Sequence, residues 1–362
     1  MSGTQPLGDL LIGGVWRRAS ATLPAENPST GAVEGEIARG TAADIDEAVA
    51  AARSALAGDW GRLDATERGR VLTRIGEAVR ARAEDLALIE AADVGKPLRQ
   101  ARADALALAR YCEFYGGAAD KLMGETIPYR TGYTVYTLRE PHGVTGHIVP
   151  WNYPMQIVGR SVGAALAMGN SAVLKPAEDA SRSALAFAAI AVEAGLPAGA
   201  LNVVPGLGAE AGAALTAHPG IDHISFTGSY AVGCAVQAAA ARRAAPVTLE
   251  LGGKSPQIVF DDADIARALP FLADAGLQNA GQTCSASSRI LVQRGVYDEV
   301  VEGLATRYRG LVAGPAMADR DLGPLISAKQ KATVLSFIAR ARADALAIAA
   351  EGRIAEDAPA AG

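Results

Sequence analysis

The chain has 362 residues, half of them apolar, and carries a formal net charge of −5. That length supports more than one core, so more than one domain is expected. The acidic balance, with no long arginine-containing run, excludes a protein built to neutralise nucleic-acid phosphates. Apolar runs such as 184–192 are broken well short of a bilayer span, and residues 1–6 lack a basic start with an apolar core behind it, so no membrane partner is expected and the cytoplasm is the default compartment.

Taken in order, residues 10–38 mix short apolar groups with Gly13-Gly14, Pro24, Pro28 and Gly31, the pattern of short strands joined by turns. From Thr41 the pattern becomes helical. Thr41 caps a run carrying Ile45, Val49 and Ala52, and Asp64 with Glu67 forms a capping pair ahead of Val71, Ile75 and Val79. Helix continues to about Tyr115, in amphipathic segments suited to covering a sheet. The alternation over 134–139, preceded by Tyr129-Arg130-Thr131-Gly132, predicts a two-stranded excursion.

Between Gly143 and Glu250, short apolar strands at 146–149, 172–174, 201–204, 223–226 and 247–249 alternate with Ala-rich helical stretches. Such alternation predicts a parallel, doubly wound α/β sheet that binds ligands beyond the carboxyl ends of its strands. A second alternating unit follows: a strand at 257–260, a helix at 265–279, Cys284, and a strand at 289–292. A helix at 329–343 and a strand at 345–349 then precede a terminal loop. No internal repeat is present.

Three cysteines at wide spacing, with no C-x-x-C pair, suit reduced thiols better than a disulfide framework or a zinc site, and four scattered histidines suggest no metal site. Cys112 and Cys234 lie in helical apolar patterns and read as small core residues. Cys284 differs, because Gly281, Gln282, Thr283 and Ser285 make a poor core and place its thiol in an exposed loop, where a thiolate can act as nucleophile. Asn152 sits in Pro150-Trp151-Asn152-Tyr153-Pro154, a rigid turn after a strand. It is either a turn former or an amide donor to a developing oxyanion. Glu250 ends a strand before Gly252-Gly253 and is either a surface charge or a general base.

Lys175-Pro176-Ala177-Glu178 offers an ammonium and a carboxylate suited to ribose hydroxyls. The run Gly206 to Gly212 has one residue too many for the dinucleotide fingerprint and reads as a turn and helix start. Gly228-Ser229-Tyr230-Ala231-Val232-Gly233 is the better phosphate candidate, because the amides opening the next helix can meet a pyrophosphate.

Together Gly281-Gln282-Thr283-Cys284, Leu249-Glu250-Leu251-Gly252-Gly253-Lys254 and Pro150-Trp151-Asn152 closely resemble the motifs of the NAD(P)-dependent aldehyde dehydrogenase superfamily, in the same order, and the resemblance runs from about Leu10 to the last residue. It implies a doubly wound cofactor domain over 1–122 and 142–251, an oligomerisation hairpin over 123–141, and a catalytic domain over 252–362 that is incomplete at its carboxyl end. It also implies that Cys284 attacks an aldehyde, that the Asn152 amide and the Cys284 N–H hold the oxyanion, and that Glu250 activates the water that releases a carboxylic acid. By the same resemblance, Lys175 and Glu178 lie at the adenosine ribose and Ser229 at the pyrophosphate, with Gly208, Gly228 and Val232 nearby. Ile148, Trp151 and Leu251 line the cofactor. Glu178 would repel a 2′-phosphate, which favours NAD over NADP.

Members of that superfamily continue past the point matched by Gly362, through a segment whose glutamate holds the nicotinamide ribose and a strand that pairs between subunits. This implies a fragment with weak or absent turnover, and a homodimer or homotetramer for a full-length form. Two function classes follow: an enzyme oxidising an aldehyde to its acid with NAD, or a non-catalytic nucleotide-binding or assembly protein of the same fold. Acyl transfer to coenzyme A fits poorly, because that branch usually lacks the acid found here as Glu250.

Overall fold

The computed structural model describes residues 8–359. Residues 1–7, which hold the stretch read as lacking a leader, and 360–362, the last of the expected terminal loop, lie outside the described residues. The chain forms two compact units. The first gathers the chain up to Leu23, then Glu36–Leu86 and Asp104–Glu250; the second gathers Pro24–Gly35, Ala87–Ala103 and the chain from Leu251. Segments 24–35 and 87–103, grouped by sequence with the first domain, thus cluster with the second unit. Their packing gives the reason: Ala87, Ala91 and Ala101 form a buried cluster with Ala316, and the Ser29 hydroxyl accepts the Ala316 N–H at 3.0 Å.

The first unit is built on a seven-stranded sheet. Its strands are β1 (Leu10–Ile12), β2 (Val15–Arg17), β3 (Val144–Val149), β4 (Ser171–Pro176), β5 (Leu201–Val203), β6 (His223–Gly228) and β7 (Val247–Leu251), in the spatial order β7-β6-β3-β4-β5-β1-β2. β3 pairs in parallel with β4 and with β6, so Ile148 stands level with both Lys175 and Phe226. β4 and β5 are also parallel, and β1 runs antiparallel to β5 and β2. The chain steps outward from β3 to β5, then returns to lay β6 on the other side of β3. Parallel crossovers share one hand, so reversing their direction puts the connecting helices on opposite faces, which makes the sheet doubly wound and β3 its switch point. Burial agrees, since all six residues of β4 are buried, as a parallel strand covered on both faces requires.

Helix α1 (Ala42–Ala57) packs on β3, β4 and β5 with Ile45, Ala48, Val49 and Ala52 inward. Both expected caps are present. Thr41 accepts the Asp44 N–H and Asp44 accepts the Thr41 N–H, and Asp64 and Glu67 make the same exchange at the start of α2 (Ala65–Ala81). The two-stranded excursion pairs Thr126–Ile127 with Val135–Tyr136, turning at Gly132 with φ +89°.

In the second unit, β8 (Pro256–Val259) pairs in parallel with β9 (Arg289–Val292). Helices α3 (Ile265–Leu277) and α4 (Tyr297–Arg309) pack together, and Val259, Ile265, Leu272, Ala273, Val300 and Leu304 form the core. Two expectations are corrected. Residues 345–349 form no strand: Ala345 turns left-handed at φ +57° and closes helix Ala328–Ala343, with the Leu346 N–H on the Ala341 carbonyl at 3.0 Å. The pairing falls later, between Arg353–Ile354 and Val312–Ala313. Cys234 is exposed rather than core, because its helix, Tyr230–Ala241, turns Gly233, Val236 and Ala240 inward. Cys112 is buried, which pushes its thiol up to about 12. No helix among the described residues is long and apolar enough to cross a membrane.

Candidate active site

The sequence-predicted residues of the first unit lie in the last residues of its strands or in the turns that follow them, at the edge where open α/β sheets bind ligands. Beyond β3 the chain passes Pro150, Trp151 and Asn152, all half-buried, before Pro154 opens helix Pro154–Val158 at its first position. A proline there has its φ already set for the helix, so the preceding turn is short and stiff. Ile148 is the last half-buried side chain of β3.

At the end of β4, the almost wholly buried Lys175 ammonium meets a Glu178 carboxylate oxygen at 2.9 Å. The other Glu178 oxygen accepts the Gly208 N–H at 3.4 Å, where the chain beyond β5 begins its next helical turn. Partial burial works to raise the Glu178 carboxyl. The Lys175 charge and hydrogen bonds from Lys175 and the backbone outweigh it and hold the group below the usual carboxylate range.

At the end of β6, Gly228 stands over the Phe226 ring, and a Cβ there would come within 2.6 Å of it. Ser229 caps helix Tyr230–Ala241 by accepting the Val232 N–H at 3.4 Å, and Tyr230 and Val232 are exposed. The helix therefore opens at exposed residues, the kind of end at which a phosphate can be held. Glu250, exposed on β7, is the last residue of this unit.

In the second unit, Leu251 leads into the exposed Gly252-Gly253-Lys254. Gly253 passes close to the cysteine turn, since a Cβ on it would lie 3.8 Å from the Cys284 carbonyl oxygen. Arg289, opening β9, donates two hydrogen bonds to the Lys254 carbonyl at 3.0 and 2.6 Å. Cys284 is exposed in a turn, with the Ala286 N–H on the Thr283 carbonyl at 3.2 Å. Ahead of it Asn279, Ala280 and Gly281 run left-handed, at φ +49°, +56° and +78°. Such a run is strained for residues with a Cβ and persists only where neighbours hold it. Gln282 is one holder. Its buried side chain donates to the Asn279 carbonyl at 3.0 Å and accepts the Ile326 N–H at 3.0 Å. Gln100 is another, accepting the Asn279 N–H at 3.0 Å from 179 positions away. No sequence signal marked Gln100, because nothing local records a contact of that range.

The model of the aldehyde dehydrogenase family matches residues 16–362. The chain belongs to that family. Aldehyde dehydrogenases are enzymes, and the relatives carry names to match. The hydroxyisobutyraldehyde dehydrogenase of Mycolicibacterium austroafricanum is 42% identical over 355 residues, which cover 97% of this chain and 70% of that protein. A crystal structure from Burkholderia cenocepacia is 62% identical with a TM-score of 0.97, covering 98% of this chain and 75% of that one. The NAD+ complex of aldehyde dehydrogenase from Bacillus cereus is 39% identical with a TM-score of 0.93, over 94% of this chain and 71% of that one. The chain thus spans 70 to 75% of the length of these three aldehyde dehydrogenase family proteins.

Proposed function

We propose that this chain carries the cofactor and nucleophile portions of an aldehyde dehydrogenase that oxidises an aldehyde to its carboxylic acid with NAD as acceptor. The observation that carries the reading is the exposed thiol of Cys284, presented at the end of a strained, hydrogen-bonded turn in a chain of this family. The joint roles of Asn152, Glu250 and Cys284 rest on their motifs, since the first two belong to one compact unit and Cys284 to the other.

The Cys284 thiolate adds to the aldehyde carbon, forming the S–C bond of a thiohemiacetal. Its oxyanion takes hydrogen bonds from the Asn152 side-chain amide and the Cys284 N–H. When bound, NAD would supply the acceptor for the hydride that this carbon gives up, leaving a thioester on Cys284. Glu250 takes a proton from water as the water attacks the thioester, and the S–C bond breaks to release the acid and restore the thiolate.

The residues at the strand ends suit a dinucleotide. The Lys175–Glu178 pair offers a donor and an acceptor to vicinal hydroxyls, and the exposed start of the helix capped by Ser229 suits a pyrophosphate. Glu178 is held as the carboxylate, and its charge opposes a 2′-phosphate, which favours NAD over NADP. The projecting pair Thr126–Ile127 and Val135–Tyr136, with Tyr129 and Tyr133 exposed beside it, supports a subunit-pairing role.

An NADH assay on the protein expressed from its complete reading frame, across aliphatic, aromatic and amino aldehydes, tests the reading. A folded protein inactive with all of them would count against it. NAD binding by calorimetry without any acyl adduct at Cys284 would point instead to a non-catalytic nucleotide-binding protein.

A further inference from the structure

We propose that Gln100 is a positioning residue for the Cys284 thiol, acting through the backbone of Asn279; this rests on the reading of Cys284 as the nucleophile. Asn279, Ala280 and Gly281 all have positive φ. Two of them carry a Cβ, so the segment relaxes unless its backbone groups are tied down. Two glutamines tie the buried Asn279 from opposite ends. Its carbonyl accepts both the main-chain N–H and the side-chain amide of Gln282, each at 3.0 Å, and its N–H is taken by the side-chain carbonyl of Gln100 at 3.0 Å.

Gln282 lies two residues before Cys284, within the turn itself, and its side chain is anchored outside the turn by the Ile326 N–H. Gln100 lies on a separate element and is a second outside anchor, one that is no part of the turn. It sits at the start of helix Leu98–Ala118, where its own N–H bonds the Pro97 carbonyl at 2.8 Å. The flanking residues fix that start. The Arg99 N–H donates to the Asp319 carboxylate at 2.8 Å, and its guanidinium donates to the carbonyls of Asp319, Arg320 and Asp321 at 2.7, 2.7 and 3.1 Å. Lys96 and Glu90, whose side chains are wholly buried, pair at 2.8 Å just ahead of it. With its backbone fixed in this way, Gln100 offers its side-chain carbonyl from a set position, which holds Asn279 and through it the direction in which the chain enters the turn carrying the thiol.

The chemistry at Gln100 is acceptance of one N–H. A glutamate keeps an acceptor of the same reach, whereas a methionine keeps the volume and loses it. The test is peptide-resolved mass spectrometry of iodoacetamide labelling between pH 6 and 9, reading Cys284 and, as an internal control in the first unit, the exposed Cys234. Gln100→Met is expected to slow Cys284 labelling at least fivefold with Cys234 unchanged, and Gln100→Glu to return it to within twofold of the natural protein. A Gln100→Met rate within twofold of the natural one, a Gln100→Glu rate as slow as that of Gln100→Met, or equal changes at Cys234 and Cys284 would overturn the proposal. Labelling does not depend on turnover, so a positioned thiol in a protein that oxidises no aldehyde remains distinguishable. If Cys284 in the natural protein labels no faster than Cys234, the nucleophile reading fails and takes this proposal with it.

Discussion

The side-chain carbonyl of Gln282 accepts the backbone N–H of Ile326 at 3.0 Å, in a buried bond that spans 44 positions. The amide end of the same side chain holds the Asn279 carbonyl. Gln282→Leu would take this bond from the Ile326 N–H, at about 1–3 kcal/mol for a buried polar group left unsatisfied, and one of two bonds from the Asn279 carbonyl, which keeps the main-chain N–H of residue 282. The expected outcome is a lowered urea midpoint for the second unit together with slower Cys284 labelling. An unchanged midpoint would show that the two bonds contribute little.

Lys175 and Glu178 lead to a prediction about cofactor choice. With Glu178 held ionised beside the ammonium, Glu178→Gln should weaken NAD binding and narrow the gap between NAD and NADP, both read by calorimetry. The pH dependence has a definite sign. A carboxyl whose folded pKa lies below its ordinary 4.5 contributes stability that is complete above 4.5 and is lost as pH falls through the folded value. Glu178→Gln removes that part of the acid dependence, and an NADP preference that does not move at all would argue against a ribose role.

Two histidines predict acid sensitivity of the first unit. Burial, with a smaller contribution from the neighbouring His223, lowers His147 to about 3, and burial, with His142 beside it, lowers His223 to about 4. Thr145 donates its hydroxyl proton to the Ser171 carbonyl at 2.9 Å, so the 2.9 Å contact with His147 is made by an Nε2–H of the neutral ring. A histidine with a depressed pKa contributes stability that is present above its unfolded value of 6.5 and lost as pH falls toward the folded one. The urea midpoint should therefore fall between pH 6.5 and 4, and His147→Gln should flatten that slope. A natural protein equally stable at pH 7 and 4 would contradict the assignment.

Thr41 caps α1, whose buried face lies on three strands of the sheet. Thr41→Ala should cost about 1 kcal/mol, measured by thermal or urea unfolding, and Thr41→Ser should recover most of it.

What the sequence made legible follows the range of each interaction. The strands around Val173, Ile224 and Leu249 emerged to within two residues because apolar runs end at Gly, Pro or Asn, and the caps at Thr41 and Asp64 because both partners lie three residues apart. The exposed turn at Cys284 was legible from Gly281, Thr283 and Ser285, which are unfit for a core, although Gln282 among them is buried, hydrogen-bonded to distant backbone. Contacts between distant segments were not: the Gln100–Asn279 bond, the grouping of Ala87, Ala91 and Ala101 with Ala316, and the outward turn of Cys234 all depend on which elements meet. The missing strand at 345–349 had a local cause that apolar content hides, the left-handed Ala345 that ends the preceding helix.

The central claim is a covalent bond between the Cys284 sulfur and a substrate carbonyl carbon. Its most direct measurement is acid-quench mass spectrometry of the protein expressed from its complete reading frame, mixed with an aldehyde and NAD, with NADH followed in parallel. The expected result is an acyl adduct on the peptide bearing Cys284, absent from Cys112 and Cys234, and loss of both adduct and NADH in Cys284→Ala. NADH formed at an undiminished rate by Cys284→Ala would contradict it.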